Sequence, residues 1–460
     1  MTHDHGSTTP DRAPGNTDPG SPDPASTDAA ARATPPPPAP EPVPLLTLSG
    51  GIPDVVDTPE LLAQACEALG AAEGPIALDA ERASGHRYSQ RAYLIQLRRG
   101  NSDIFLVDPI AFDSDLTELQ EALGDAEWIL HAATQDLPCL REVNLEPTSI
   151  FDTELAGRLL GLPRVGLATL VESIVGLRMR KEHSAADWST RPLPRSWLEY
   201  AALDVEVLDE LRDHMADELE KAGKAEWARQ EFAHLLNFRP AVRTEPWRRT
   251  SGVTKLRSRR AMAVARALWE ARDELARDRD VSPGRLIPDA ALVAAAAAMP
   301  TTRGALLSTK GFNGRGAERH VNRWLGAIAA GLELPESELP VRTLRGDGPP
   351  HPKSWADRDP VADRRFKAAR EAMLSIAEAN HLPVENLIAP DHVRRAMWTP
   401  PATRNLPALT VAIDEQLAGY GARPWQRELV TGALADATLK ADEPVEDPAA
   451  GQAPAPETTS

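Results

Sequence analysis

The stretch "IALDAERASGHRYSQRAYLIQL" (Ile76–Leu97) decides how this chain is read. Ile76, Ala77 and Leu78 open a buried strand, yet Asp79 and Glu81 follow at once. Residues two apart on a strand share a face, so both carboxylates point the same way, next to the core. A partly buried pair of like charges is costly unless something positive neutralises it. After a turn-forming gap with Ser84 and Gly85, Tyr93–Arg98 returns as a second strand and Asp103–Val107 as a third. Short gaps holding Gly, Ser and Asn make these three runs a meander.

Outward from the meander, "TPELLAQACEAL" (58–69) has helical spacing with Thr58 placed to cap it. Downstream a helix is expected over Leu116–Leu123, then a strand "WILHAA" (128–133). Helices follow around Asp136–Glu142, Thr153–Leu160 and Leu167–Val175, with a long one from Arg195 to about His214. Three consecutive strands followed by strands alternating with helices indicate an α/β domain with a mixed sheet. It spans 45–237.

Residues 238–256 read as a basic linker. From Arg239 to Arg260 there are eight bases against one acid, Glu245. Its composition marks a boundary that few contacts should cross. Beyond it the chain reads all-α, as domains over 257–334 and 360–438 joined by a second linker over 335–359. The two blocks resemble each other at an offset of 101 residues, so that Val281, Leu286 and Ile287 match Leu382, Leu387 and Ile388. A duplication follows.

The net charge is −17, of which the tails 1–44 and 439–460 carry about half. Both are rich in Pro, Ala, Ser, Thr and acids and cannot offset chain entropy, so they are expected to be disordered. The amino terminus lacks the charged-then-apolar pattern of a secretory signal. No apolar run approaches membrane-spanning length. Two cysteines, Cys66 and Cys139, make neither a disulfide framework nor a zinc site. The chain reads as soluble and cytoplasmic.

Two further pieces join the Asp79-x-Glu81 pair. Asp136 starts a helix just past a strand end, where ligand sites gather in α/β sheets; a plain helix cap is the bland alternative. "SWLEYAALDVEVLDEL" puts Tyr200 and Asp204 four apart on one helical face, beside the apolar stripe Leu203, Val207 and Leu211. Four inward acids exceed what hydrogen bonds normally satisfy. Hard cations such as Mg²⁺ or Mn²⁺ take oxygen ligands and leave positions open for water and phosphate. Two such ions can activate a water and stabilise the leaving oxygen of a phosphodiester.

In order and type, Asp79-x-Glu81, His131-x₄-Asp136 and Tyr200-x₃-Asp204 resemble the three exonuclease motifs of the DEDD superfamily, in the branch with Tyr in its third motif. "FDTELAGRLLG" (151–161) and "DWSTRPLPRSWLEYAALDV" (187–205) are similar to the ribonuclease D family. The resemblance covers about residues 45–235; the helical blocks look like the tandem HRDC-type domains that follow the nuclease in that family. It implies a ribonuclease H-like α/β exonuclease domain followed by two all-α HRDC-type domains. It also implies that Asp79, Glu81 and Asp204 hold a first metal, that Asp79 reaches a second, and that Asp136 supports the second through water. Tyr200 would orient the attacking water. His131 and Arg191 would be RNA contacts, against the alternatives of a satisfied core histidine and a surface charge. One departure is visible: Arg82 and Ala83 follow Glu81 where many relatives carry an aromatic or apolar residue.

"TKGFNGRGAER" (309–319) lacks the Walker pattern. It reads either as an ordinary turn or as a loop offering Lys310, Arg315 and backbone N–H groups to phosphate. Trp247 beside Arg248 and Arg249 either stacks on a base or packs the linker. The expected function is a metal-dependent 3′→5′ exoribonuclease releasing nucleoside 5′-monophosphates from tRNA precursors or other structured RNA. The alternatives are a DNA 3′→5′ exonuclease and a non-catalytic RNA-binding adaptor.

Overall fold

Six strands make one sheet: β1 (Val55–Val56), β2 (Ile76–Arg82), β3 (Ala92–Arg99), β4 (Phe105–Val107), β5 (Glu127–Leu130) and β6 (Ser149–Asp152), in spatial order β1-β4-β3-β2-β5-β6. This computed structural model describes residues 43–180, 183, 185–342 and 348–442. Most of the two expected tails lies outside these residues. The β2, β3 and β4 strands are the antiparallel meander, while β5 pairs parallel with β2 and β6, and β1 with β4. The sheet is mixed, as expected, but β1 and β6 were not anticipated. The expected strand 128–133 stops at Leu130, and His131 to Asp136 form the turn beyond it.

Alternation along β2 sorts its side chains. Ile76, Leu78 and Ala80 enter the core on one side, with Leu62, Leu69, Leu119 and Leu130. Asp79 and Glu81 fall on the other side, where Ala77 meets Ile129, Leu203, Leu208 and Leu211. That second side is roofed by α6 (Arg195–Glu206) and α7 (Leu208–Lys221), which follow α1 (Pro59–Ala71), α2 (Thr117–Leu123), α3 (Leu137–Arg141), α4 (Thr153–Leu159) and α5 (Leu167–Leu170). The single helix expected from Arg195 to His214 is thus two. Val207 lies between them at φ −121°, outside helical geometry, and α8 (Ala225–Leu236) completes the domain.

The first helical block holds α9 (Arg259–Asp278), α10 (Pro283–Leu286), α11 (Asp289–Ala298), α12 (Arg303–Leu307), α13 (Arg315–Arg319) and α14 (Val321–Glu333). The second holds α15 (Trp355–Arg358), α16 (Pro360–Ala379), α17 (Val384–Leu387), α18 (Pro390–Trp398), α19 (Leu406–Gly419) and α20 (Pro424–Asp442). The 101-residue offset carries into three dimensions. Both α9 and α16 are 20 residues long and start 101 apart, and each is followed by a left-handed residue, Asp280 (φ 45°) and His381 (φ 49°).

The boundary after residue 237 is crossed by many contacts, contrary to expectation. Trp425 of α20 stacks on Trp227 of α8 with centroids 4.8 Å apart, and its indole N–H donates to the buried Glu231 (2.9 Å). Lys224 Nζ donates to the carbonyls of Leu159 (2.7 Å) and Asn380 (2.6 Å). Gly161 approaches the His381 carbonyl so closely that a Cβ there would sit 2.2 Å away. Trp247 is 3% exposed within the first block's core, with Arg248 over its ring, so it packs the linker and is not available to stack on a base. Among the described residues, no helix is long and apolar enough to cross a membrane.

Candidate active site

The central strand presents Asp79 and Glu81 from below, and α6 brings Asp204 from above, with Tyr200 one turn earlier on the same helix face. One carboxylate oxygen each from Asp79, Glu81 and Asp204 lies within 4.8 Å of the others. Asp136 stands apart from that trio but lines the same cleft of about 430 Å³, together with Arg82, Ser84, Gly85, His131 and Gln135. It is 4% exposed and makes no side-chain cap hydrogen bond to its helix, which removes the plain helix-cap reading.

Burial dominates the electrostatics. It lifts Glu81 to about 10, with Asp79, Asp204 and Asp136 adding repulsion. Asp79 is raised by burial, and Asp136 and Asp204 are pushed well above the ordinary carboxylate range by burial and by Asp79. Arg82 pulls Asp79, Glu81 and Asp136 down, yet the net direction is upward for each. One nearby guanidinium is too little positive charge for four acids. This donor set, all hard oxygens on close-spaced, partly to fully buried carboxylates, fits a divalent cation. Tyr200 hydrogen-bonds to Asp204, and burial followed by the charges of Asp204 and Glu81 pushes its phenol far up, so it stays protonated at neutral pH.

The turn that carries His131 and Asp136 is fastened by a residue the sequence reading left without a role. Asp152, at the end of β6, accepts from Ala132 N (3.3 Å) and Ala133 N (2.8 Å) and also caps α4 through Leu155 N (3.0 Å). The Asp-Thr pair at a strand-to-helix junction was the available signal. Gln96, directly across from Asp79 in the β2–β3 register and 0% exposed, has neither amide atom hydrogen-bonded. It too went unnoticed.

His131 lines the cleft, shares a 2.9 Å hydrogen bond with Thr153, and is lowered to about 4 by burial, hence neutral. Arg191 is placed differently from expectation. It donates to both Asp108 oxygens (2.6 and 2.8 Å) and to the carbonyls of Tyr93, Trp188 and Thr190. Those bonds make it a brace between the meander and the segment before α6, not a side chain held out for RNA. Lys310 and Arg315 are exposed on the first helical block and line none of the clefts around the carboxylates.

The hairpin between β2 and β3 walls this cleft with Ser84 and Gly85, and its outer side is held by the first helical block. Asp280 accepts from Tyr88 N (3.1 Å) and Ser89 N (2.8 Å), Tyr88 Oη donates to Asp273 (3.1 Å), and Ser282 N donates to His86 O (2.9 Å).

Comparison with known proteins agrees with this geometry. Residues 53–220 match a family described as 3'-5' exonuclease, 261–328 match the HRDC domain, and 348–438 match a separate family, the 3' to 5' exonuclease C-terminal domain. A ribonuclease D of Granulibacter bethesdensis is 33% identical over 299 residues, 63% of this chain and 74% of that protein. The ribonuclease D of Escherichia coli K12 is 29% identical over 83% of this chain and 96% of its own length. Among solved structures, a Bifidobacterium adolescentis protein superposes with a TM-score of 0.78 at 38% identity, covering 86% of this chain and 99% of that one. Escherichia coli RNase D, described as an exoribonuclease involved in structured RNA processing, superposes at 0.61 with 27% identity, covering 84% and 98%.

Proposed function

This chain belongs to the ribonuclease D family and is a 3′→5′ exoribonuclease, and we propose that Asp79, Glu81, Asp136 and Asp204 form its catalytic centre around two divalent cations, Mg²⁺ or Mn²⁺. The observation that carries this reading is the trio of half-buried Asp79 and Glu81 with buried Asp204, their ligand atoms within 4.8 Å and without adequate counter-charge. When bound, the cations would supply Lewis-acid activation of water and neutralise charge at the leaving oxygen. Asp79, Glu81 and Asp204 converge from strand and helix and would hold one cation, and Asp136, lining the same cleft, would support the second. Tyr200, kept as the neutral phenol, orients the attacking water by hydrogen bonding and is not a base. His131, neutral and fixed by Thr153, lines the path of the substrate strand.

The products are nucleoside 5′-monophosphates, and the proposed substrates are tRNA precursors or other structured RNA. The description of the Escherichia coli neighbour supports that substrate class. We read the second helical block as a diverged copy of the HRDC domain, supported by the shared offset, helix length and left-handed turn residue. Domain limits of 45–237, 257–334 and 360–438 follow that reading.

The test is a cleavage assay with end-labelled single-stranded RNA, matched DNA and a tRNA precursor, with Mg²⁺, Mn²⁺ or EDTA. The expected result is stepwise shortening of RNA from its 3′ end, only with metal. DNA degraded faster than RNA would favour the DNA exonuclease. No cleavage of either would leave an RNA-binding adaptor.

A further inference from the structure

Two clefts meet at the carboxylates, and they are unequal. The smaller, about 430 Å³, is walled by Ser84 and Gly85 of the hairpin. The larger, about 890 Å³, shares Asp79, Tyr200 and Asp204 with it and reaches Ala168, Met179 and Arg180. Those same three residues line a third groove of about 740 Å³ that adds Arg164, Glu172 and Arg178. The site therefore continues on one side into a groove that, among the described residues, is lined by three arginines and one acid.

The arginines are not tied up elsewhere. Among the described residues, Arg164 and Arg178 have no side-chain hydrogen bond or ion pair, and Arg180 has only a 3.9 Å approach to the half-exposed Glu199. The Arg178 backbone is held on both sides, its N–H donating to Pro44 O (2.8 Å) and its carbonyl accepting from Leu46 N (2.9 Å). Met179 is buried while Arg178 and Arg180 are exposed, so the two arginines share the outward face of an extended segment. Residues two apart on such a segment are separated by about 6.6 Å, a step suited to successive phosphates of an extended single strand. A row of guanidinium groups with few partners of their own is what backbone positioning of a nucleic acid requires.

We propose that the Arg164–Arg178–Arg180 groove binds the phosphates of the RNA strand 5′ to the scissile bond, while the smaller cleft takes the 3′-terminal nucleotide. This rests on the exoribonuclease reading of the carboxylates. An enzyme that removes one terminal nucleotide needs one small pocket, and the upstream strand must leave by a wider path. The larger cleft, of about 890 Å³, is that path, and it leads to the arginines. RNA length is then sensed by charge, with each further nucleotide placing another phosphate in the groove.

The test is equilibrium binding of a 5′-fluorescein RNA decanucleotide in EDTA, across a salt series, for wild type, R164Q/R178Q and R164K/R178K. Binding without metal separates this inference from the carboxylate reading, which stands or falls on the cleavage assay. Removing two phosphate contacts should lower the log–log salt slope by about 1.4 and weaken binding at low salt at least fivefold, while the lysine variant keeps the wild-type slope. An unchanged slope in R164Q/R178Q overturns the proposal, and so does a lysine variant that loses the slope as fully as the glutamine one.

Discussion

The two helical blocks share a 20-residue leading helix and a left-handed residue after it, but dock on the nuclease domain by different chemistry. In each, the left-handed residue that ends the long helix meets the nuclease domain: Asp280 in the first block, His381 in the second. The first contact is polar and partly exposed, a carboxylate accepting backbone N–H groups of the hairpin that walls the active site. The second is buried, with stacked tryptophans, Glu231 at 6% exposure and Lys224 under the carbonyls of two helices. The same turn geometry serves both, with the second block built into the core and the first held by a polar latch beside the cleft. Stability should therefore depend on the second interface and cleft shape on the first.

The largest effect expected is from cutting the chain after Asn237. The fragment would strip Trp227 of Trp425, Glu231 of its indole donor and Lys224 of the Asn380 carbonyl, and should not unfold cooperatively. A stable, active fragment would break the comparison at once. Next, Trp425→Ala should cost about 3–5 kcal/mol, the range for deleting a buried tryptophan, measured by denaturant unfolding. Lys224→Met should cost about 2–3 kcal/mol, because it deletes charge-assisted hydrogen bonds to carbonyls that then lie buried without a donor. The smallest loss of stability, about 1 kcal/mol, is expected for Asp280→Ala. That variant should instead lower kcat/KM on short RNA several-fold, since the Ser84–Gly85 wall loses its outer support. A larger stability loss from Asp280→Ala than from Trp425→Ala would reverse the assignment.

Much of the site was legible because its signals are local. Asp79 and Glu81 two apart on a strand, and Tyr200 and Asp204 four apart on a helix, fix their faces by period alone. The 101-residue offset was equally readable. What escaped depended on distant parts of the chain. Two strands were missed because Val55–Val56 and Ser149–Asp152 are too short to show alternation. The break at Val207 has no Gly or Pro to announce it, and the apolar stripe runs through unbroken. Arg191 and Trp247 each left two readings open, because Asp108, the partner of Arg191, lies far away in sequence and the apolar core that takes Trp247 is assembled only in the fold. The linker suggested separable domains because its composition says nothing of Trp425 meeting Trp227 nearly two hundred residues apart.

The central claim, that the clustered carboxylates exist to hold divalent cations, is tested most directly by melting wild type and Asp204→Asn across a Mn²⁺ titration. Ligand binding to the native state raises its stability with the logarithm of free ligand, and an isosteric neutral side chain relieves the like-charge repulsion seen at the trio. The account predicts that the wild-type Tm climbs with Mn²⁺, while Asp204→Asn melts at or above metal-free wild type and does not respond. A wild-type Tm indifferent to Mn²⁺, or an Asp204→Asn variant that responds as wild type does, would contradict it.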